Sequence, residues 1–174
     1  SSTQPMAKMG TLIPAAIDKL NVLAHTFDGY WEDIGTISSF YRANIHLTDP
    51  EPAFHFHQPD APIFTHQRIL AGSRMLGCRI DRGIVSEACT LRDAEVELSV
   101  VGVRSQIGPG VRIYQSVLMG SAQYEAPADR ERNRALGIPD IGIGASSVIQ
   151  RAIIDKNARI GEGVIISNDA RLEE

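Results

Sequence analysis

The chain has 174 residues, of which 43% are hydrophobic and 22% charged, so it is long enough for one or two globular domains with a buried core. Its formal net charge of −4 argues against a general nucleic-acid binder, and no apolar run approaches the length of a membrane span. The 15 glycines and the aromatic content of only 6% favour many tight turns around small aliphatic side chains. Cys78 and Cys89 fit no metal or redox motif and are predicted to be reduced, partly buried thiols.

The first 49 residues predict a short α/β segment, and their beginning lacks the basic-then-apolar order of a signal peptide. Helical spacing of apolar residues predicts a helix over residues 14–21, and residues 22–27 read as a strand. A turn at Asp28-Gly29 would return the chain into a second strand from Tyr30-Trp31. Thr36 is the predicted N-cap of another helix. Its apolar face would consist of Ile37, Phe40, Tyr41, Asn44 and Ile45.

Residues 50–78 read as an interdomain connector. Four prolines lie among histidines in this stretch, and few apolar residues recur at a regular spacing. Proline removes a backbone donor and favours extended backbone, so regular pairing is disfavoured.

Residues 79–174 carry a repeat of aliphatic residues at intervals of five or six. Neither an amphipathic helix nor a simple alternating strand keeps one face buried at that period. The series consists of Val85, Leu91, Val96, Val101, Ile107, Ile113 and Leu118, and then Ile143, Ile149, Ile154, Ile160 and Ile166.

Two positions before each of these residues the side chain is mostly small, as at Cys89, Ala94 and Ser99. One aliphatic and one small residue per six is what a triangular coil needs, with the aliphatic residue inside and the small one near a corner. Turns are predicted at 108–110 and 161–163, where corners should fall. The pattern predicts a mainly β fold, a hexapeptide parallel β-helix. Its left-handedness is taken from the known architecture, and an irregular β domain with chance periodicity is the alternative.

Residues 121–140 interrupt the repeat. They are rich in charge, carry a helical stretch near 128–136, and would project from one corner of the coil stack. A long loop on a solenoid is often a binding or contact element, and the alternative is a solvated insertion.

Several motifs, in their order, resemble ADP-glucose pyrophosphorylases over essentially residues 11–168. Residues 30–36 (YWEDIGT) resemble the segment that closes the catalytic domain of this family, and residues 61–65 (APIFT) resemble its connector. Residues 99–102, 116–120 and 141–144 resemble its coils, and residues 151–161 (RAIIDKNARIG) are the most similar segment. The resemblance implies a left-handed β-helix preceded by the α/β tail of a nucleotidyltransferase domain.

The family makes ADP-glucose and pyrophosphate from ATP and glucose 1-phosphate for glycogen or starch synthesis. The resemblance implies that Asp33 is the catalytic aspartate that binds the cofactor Mg²⁺ in the parent enzyme, because carboxylate oxygens suit this hard cation. The alternative for Asp33 is a turn residue that satisfies backbone donors. The sequence contains no glycine-rich phosphate loop like that of the family, so we expect no turnover from this chain alone.

The family is regulated by anionic metabolites, and the resemblance places Arg68 and Lys156 in the effector site, with His66 and Arg151 beside them. Basic side chains are required because sugar phosphates, phosphoglycerate and phosphate are anions. His66 departs from the glutamine of plant relatives, and Arg74 is a weaker candidate. For each cation the alternative is a solvated surface charge. The resemblance also implies a homotetramer in the parent enzyme. Because no transit-like segment is seen, we expect the bacterial cytoplasm, with a plastid as the alternative, and the composition predicts no nucleic-acid or membrane partner.

Three other functions occur on hexapeptide coils: acyltransferase, γ-class carbonic anhydrase and stand-alone assembly module. The acyltransferase uses a histidine of its coils, and the carbonic anhydrase needs three to bind zinc. All five histidines precede residue 79, so the first two are weakened. For the chain as it stands we expect a regulatory and oligomerisation module.

Overall fold

The computed structural model describes residues 14–17, 19–56, 59, 62–63 and 68–168. The chain divides into two compact units, Ser1–Trp31 and Glu32–Glu174. Within the described residues, no helix has both the length and the apolar character needed to cross a membrane. The predicted domain boundaries at residues 49 and 78 stay predictions.

In the first unit, the described residues contain one helical turn and a segment without regular secondary structure. Residues 14–17 are helical and the amide of Leu20 donates to the carbonyl of Ala16 at 2.8 Å, so the helix predicted over 14–21 is short. The strands predicted at residues 22–27 and from Tyr30 are wrong, because no described strand pairs with either segment. A strand needs a neighbour for its backbone donors and acceptors, and the described part of the unit provides none. At the turn predicted for Asp28-Gly29, the structure has a bend at Gly29.

The second unit opens with helix α1, Ile37–His46, which begins where it was predicted. The hydroxyl of Thr36 accepts from the Ser39 amide at 3.0 Å, and the Thr36 amide donates to the Ser39 hydroxyl at 3.0 Å. This reciprocal capping box satisfies two backbone donors of the first turn. One member of the predicted apolar face is wrong: Ile37 is 79% exposed, whereas Phe40, Tyr41, Asn44 and Ile45 are half-buried.

The rest of the unit is a triangular coil of parallel strands that pair from one turn of the chain to the next. The first face comprises β1 (Arg74–Leu76), β3 (Thr90–Arg92), β5 (Gln106–Ile107), β8 (Gly142–Ile143) and β11 (Arg159–Ile160). The second face comprises the first halves of β2 (Arg79–Val85) and β4 (Glu95–Val101), with β6 (Arg112–Tyr114), β9 (Val148–Gln150) and β12 (Ile165–Ser167). The third face comprises the second halves of β2 and β4, with β7 (Val117–Leu118) and β10 (Ile153–Ile154).

The register sets the length of each coil. Arg74 pairs with Thr90 and Thr90 with Gln106, which is 16 positions per coil, and Gly142 pairs with Arg159, 17 positions on. Ile107 pairs with Ile143, 36 positions on, because the insertion lies between them. The coils therefore stay in register across the insertion.

The aliphatic series forms the core, as the spacing predicted. Eight of its members are buried, and Val85, Ile154, Ile160 and Ile166 are partly buried and packed against them. The small positions are also internal: Cys89, Ala94 and Ser99 are each at most 1% exposed. Both cysteines are free thiols, and burial raises the pKa of Cys89 despite hydrogen bonds that act in the opposite direction.

Three corners join the faces, and each contains a column of residues with left-handed backbone. The turns predicted at 108–110 and 161–163 are confirmed at the first corner, between the first and second faces. That corner has positive φ at Gly77, Asp93, Gly110, Ser146 and Gly163; the second corner has it at Arg82, Leu98, Gln115 and Arg151; the third has it at Ala88, Arg104, Gly120 and Asn157. One such residue per side lets the chain change direction between two short strands.

The insertion leaves the stack at the third corner, between β7 and β8. It contains helix α2, Pro127–Leu136, which confirms the predicted helical stretch. Pro127 occupies the first turn, and Gly137 ends the helix with a φ of 66°. Proline at the start and a left-handed glycine at the end are the expected signals for such a helix.

Candidate functional site

Lys156 lies at the tip of the turn that forms the third corner of the coil after the insertion. The carboxylate of Asp155 accepts from the Lys156 amide at 2.6 Å. Asn157 has a left-handed φ of 62°, and its side-chain oxygen accepts from the Ala122 amide at 2.8 Å. The side chains of both neighbours therefore accept hydrogen bonds that stabilise the turn. Lys156 itself is exposed, and no carboxylate in the described part of the chain forms an ion pair with it.

Arg151 lies at the second corner of the same coil, at the other end of β10. Its φ is 48°, and its Nε donates to the Asn168 carbonyl at 2.8 Å. The side chain is half-buried, so part of the guanidinium group has a structural role. Arg151 is therefore less available to a ligand than Lys156.

The remaining effector candidates lie before the first coil. Arg68 is exposed, three residues ahead of Ala71, whose carbonyl accepts from the Ala88 amide at 2.9 Å. Arg74 is exposed in β1, and His66 lies outside the described residues. No hydrogen bond or ion pair joins any two of the described candidates.

Asp33 lies in an exposed, irregular segment just before the N-cap of α1. No described residue donates a hydrogen bond to its carboxylate. Within the described ranges, no group of three histidine, cysteine, aspartate or glutamate side chains is placed to hold a metal ion. The described residues therefore do not form a Mg²⁺ site by themselves, and Asp33 could supply only one ligand of it.

The insertion is fastened to the coils by a buried carboxylate that sequence reasoning missed. Glu125, with a side chain only 5% exposed, accepts from the Ile141 amide at 2.6 Å and from the Asn133 side chain at 2.8 Å. It also forms an ion pair with Arg159 of β11. Burial alone would raise the pKa of Glu125, but these hydrogen bonds and the Arg159 charge lower it on balance. Tyr124 adds a second anchor, because its hydroxyl donates to the Ala88 carbonyl at 2.5 Å.

A cleft lies between the first face and α2, and we call it the insertion cleft. Its volume is about 560 Å³. Three arginines line it: Arg92 from β3, and Arg130 and Arg134 from α2. None of the candidates Arg68, Arg151 and Lys156 lines it. The signal available in the sequence was the spacing of Arg130 and Arg134, since side chains four apart share a helix face.

Comparison with protein families gives one finding. A model described as the GLGC left-handed parallel beta-helix domain matches residues 68–174, well over half of the chain. The match confirms the predicted fold class, including the left-handed course of the coils.

Proposed function

The chain belongs to the family of the GLGC left-handed parallel beta-helix domain, the C-terminal part of ADP-glucose pyrophosphorylase, and from this premise we propose that it is the regulatory and oligomerisation portion of such an enzyme. The parent enzyme is a nucleotidyltransferase that makes ADP-glucose and pyrophosphate from ATP and glucose 1-phosphate in glycogen or starch synthesis. The exposed apolar residues of the first unit support the proposal, because large apolar side chains in water favour coverage by further protein. They are Ile17, Leu20, Val22, Leu23, Phe27, Tyr30 and Trp31.

The observation that carries the regulatory part is the turn at residues 155–157. Asp155 and Asn157 are used to shape it, while the Lys156 ammonium group is presented to solvent without an ion-pair partner among the described residues. A cation carried on an ordered corner suits an anionic ligand, because the backbone is already ordered before binding and only the side chain has to be immobilised. Lys156 is therefore the principal effector contact in this proposal, with Arg68 and His66 from the connector and Arg151 in secondary roles.

In the parent enzyme, Asp33 contributes an oxygen ligand to Mg²⁺, which neutralises charge on the phosphates when it is bound. The carboxylate is exposed and has no hydrogen-bond donor among the described residues, which favours this role over that of a turn residue. The other ligands come from outside the described residues, and the chain alone is inactive. Oligomerisation as a homotetramer belongs to the same proposal, and sedimentation equilibrium of the whole enzyme tests it.

A thermal-shift titration tests the regulatory proposal. The chain is titrated with fructose 1,6-bisphosphate, 3-phosphoglycerate, fructose 6-phosphate and phosphate. We expect one anion to raise the melting temperature, because a ligand that binds only the folded state stabilises it. Lys156→Ala should strongly reduce the shift and Arg68→Ala should weaken it.

The matched control is Arg112→Ala, which removes an exposed cation from the second face. It should leave the titration unchanged. A shift of unchanged size in Lys156→Ala, or the absence of a shift with every anion in a folded chain, would contradict the effector site.

A further inference from the structure

The lining of the insertion cleft contains more positive than negative side chains. Arg92, Arg130 and Arg134 line it, and none forms an ion pair with another described residue. Two carboxylates also line the cleft, Asp140 and Glu162. The lining therefore carries three positive and two negative side chains.

Two acidic groups beside α2 are engaged with other donors. Asp140 accepts from the Asn133 side chain at 2.8 Å, and Glu125 is saturated by Ile141, Asn133 and Arg159. Glu162 lies in an exposed turn at the first corner. No hydrogen bond from these three arginine side chains to a described residue is present, so their donors remain available to a ligand in the cleft.

Arg130 provides the second, independent observation. Its Nε is buried from solvent and has no hydrogen-bond partner among the described residues. A buried donor without a partner costs roughly 1–3 kcal/mol, and a charged one more, so a rotation that turns this guanidinium group toward an acceptor in the cleft is favoured. The Nε and one terminal nitrogen of a guanidinium group form a planar fork that matches two oxygens of one phosphate.

We propose that the insertion cleft binds a small phosphorylated molecule, whose phosphate oxygens accept hydrogen bonds from Arg92, Arg130 and Arg134. The volume of about 560 Å³ suits such a ligand, since small-molecule sites measure roughly 300–1,000 Å³. Three converging arginines favour a phosphate over a single carboxylate, because a phosphate offers more acceptor oxygens and more charge. The site is separate from the proposed effector contact, since Lys156 does not line the cleft.

Isothermal titration calorimetry of the full chain with inorganic pyrophosphate tests the inference. We expect saturable binding, with weaker binding of citrate, which carries carboxylates instead of phosphates. Arg130→Gln and Arg134→Gln should each weaken pyrophosphate binding roughly tenfold or more, since each removes a charge-assisted hydrogen bond. Arg130→Lys should restore only part of the affinity, because lysine keeps the charge but lacks the fork.

The matched control is Arg132→Gln, which removes an exposed arginine of the same helix that does not line the cleft. It should change the affinity by no more than about twofold, because an exposed charge outside the cleft lining contributes little to binding. Arg92→Gln lies on a strand of the coils and should also weaken pyrophosphate binding, so it tests the site without a change in α2. Circular dichroism verifies the fold of each variant. An equal loss in Arg132→Gln, a loss in Lys156→Ala but not in Arg130→Gln, or no binding by the folded chain would overturn the inference.

Discussion

At the scale of single residues, the small positions of the repeat join one coil to the next as well as fitting the corner. The hydroxyl of Ser99 donates to the Glu97 carbonyl at 2.6 Å and accepts from the Ser116 amide of the next coil at 3.0 Å. The hydroxyl of Ser116 repeats this pattern with Tyr114 and with Ala152 of the following coil. Serine therefore satisfies a backbone donor and a backbone acceptor that are otherwise hidden from water.

Glu125 provides a prediction that depends on pH. Glu125→Gln should lower the free energy of unfolding by about 1–3 kcal/mol near neutral pH, because three donors lose a charged acceptor. The pKa of Glu125 is lowered in the folded chain, so its ionised form stabilises the fold. This contribution is complete above the ordinary glutamate pKa of about 4.3 and is lost as the pH falls through the lower folded value.

Urea denaturation of the parent chain and of Glu125→Gln, at neutral and acidic pH, measures this effect. The difference between them should shrink as the pH falls. Glu131→Gln, at an exposed position of α2, is the control and should show almost no difference at either pH. A difference that grows on acidification would contradict the assigned role of Glu125.

The identities of the core residues were predictable from the sequence, but the ion pairs and side-chain contacts between distant residues were not. Spacing alone identified Leu91 and Ile149 as interior, because a repeat fixes which side chains face inward. Glu125 is a single charge in a charged segment, and its burial depends on Arg159, 34 positions later. The same holds for Arg92, which joins Arg130 only because the insertion folds back over the first face.

At the scale of elements, sequence signals correctly predicted the helices and strands whose stabilising contacts lie close by in the chain or recur in the repeat. The helix after Thr36 was predictable because its cap lies within four residues of chain. The strands proposed for residues 22–27 and from Tyr30 failed because strand formation needs a partner, which the described residues do not supply. The short coil strands were predictable because the repeat contains their partners.

Removing the insertion tests whether the coils are independent of it. Deletion of residues 122–140 leaves Ile107 and Ile143 spaced by 17 positions, the spacing of Gly142 and Arg159. Residues 119–121 and 141 then join β7 to β8, the same number as residues 102–105 between β4 and β5. We expect a β-rich circular dichroism spectrum and a cooperative melt at a somewhat lower temperature, because Tyr124 and Glu125 no longer tie neighbouring coils together.

The control deletion removes residues 119–140 and leaves a single residue to turn the corner. That variant should lose its cooperative transition, since one residue cannot join two strands on adjacent faces of the triangle. Loss of the β spectrum in the shorter deletion as well would show that the insertion is required for the coil stack.

At the scale of the whole molecule, the first unit differs from the coils in how its apolar residues are placed. In the coils the aliphatic side chains are stacked inside, whereas Leu23 of the first unit is 81% exposed and Trp31 is 76% exposed. Burial of large apolar side chains contributes roughly 1.5–3 kcal/mol each, so these residues gain most from a covering domain.

Trp31, the single tryptophan of the chain, reports on this exposure. In the isolated chain its fluorescence should resemble that of a water-exposed indole, and acrylamide should quench it nearly as well as N-acetyltryptophanamide. When the chain is part of the whole enzyme, the emission of this residue should shift to shorter wavelength and become shielded. Shielded, blue-shifted emission from the isolated, monomeric chain would contradict the exposed position of Trp31.

The uninterrupted register across the insertion also has a consequence for how such a chain can vary. Extending one coil from 17 to 36 positions raises the entropy cost of closing that loop by only about 0.7 kcal/mol at 25 °C, because the cost grows with the logarithm of length. The closure cost of the added chain is thus smaller than the contribution of a single buried leucine, and the helix of the insertion must be ordered by its own contacts, such as those of Tyr124 and Glu125. Every corner of the stack offers the same opportunity, so new surfaces can arise by lengthening a turn while the interior sequence stays fixed.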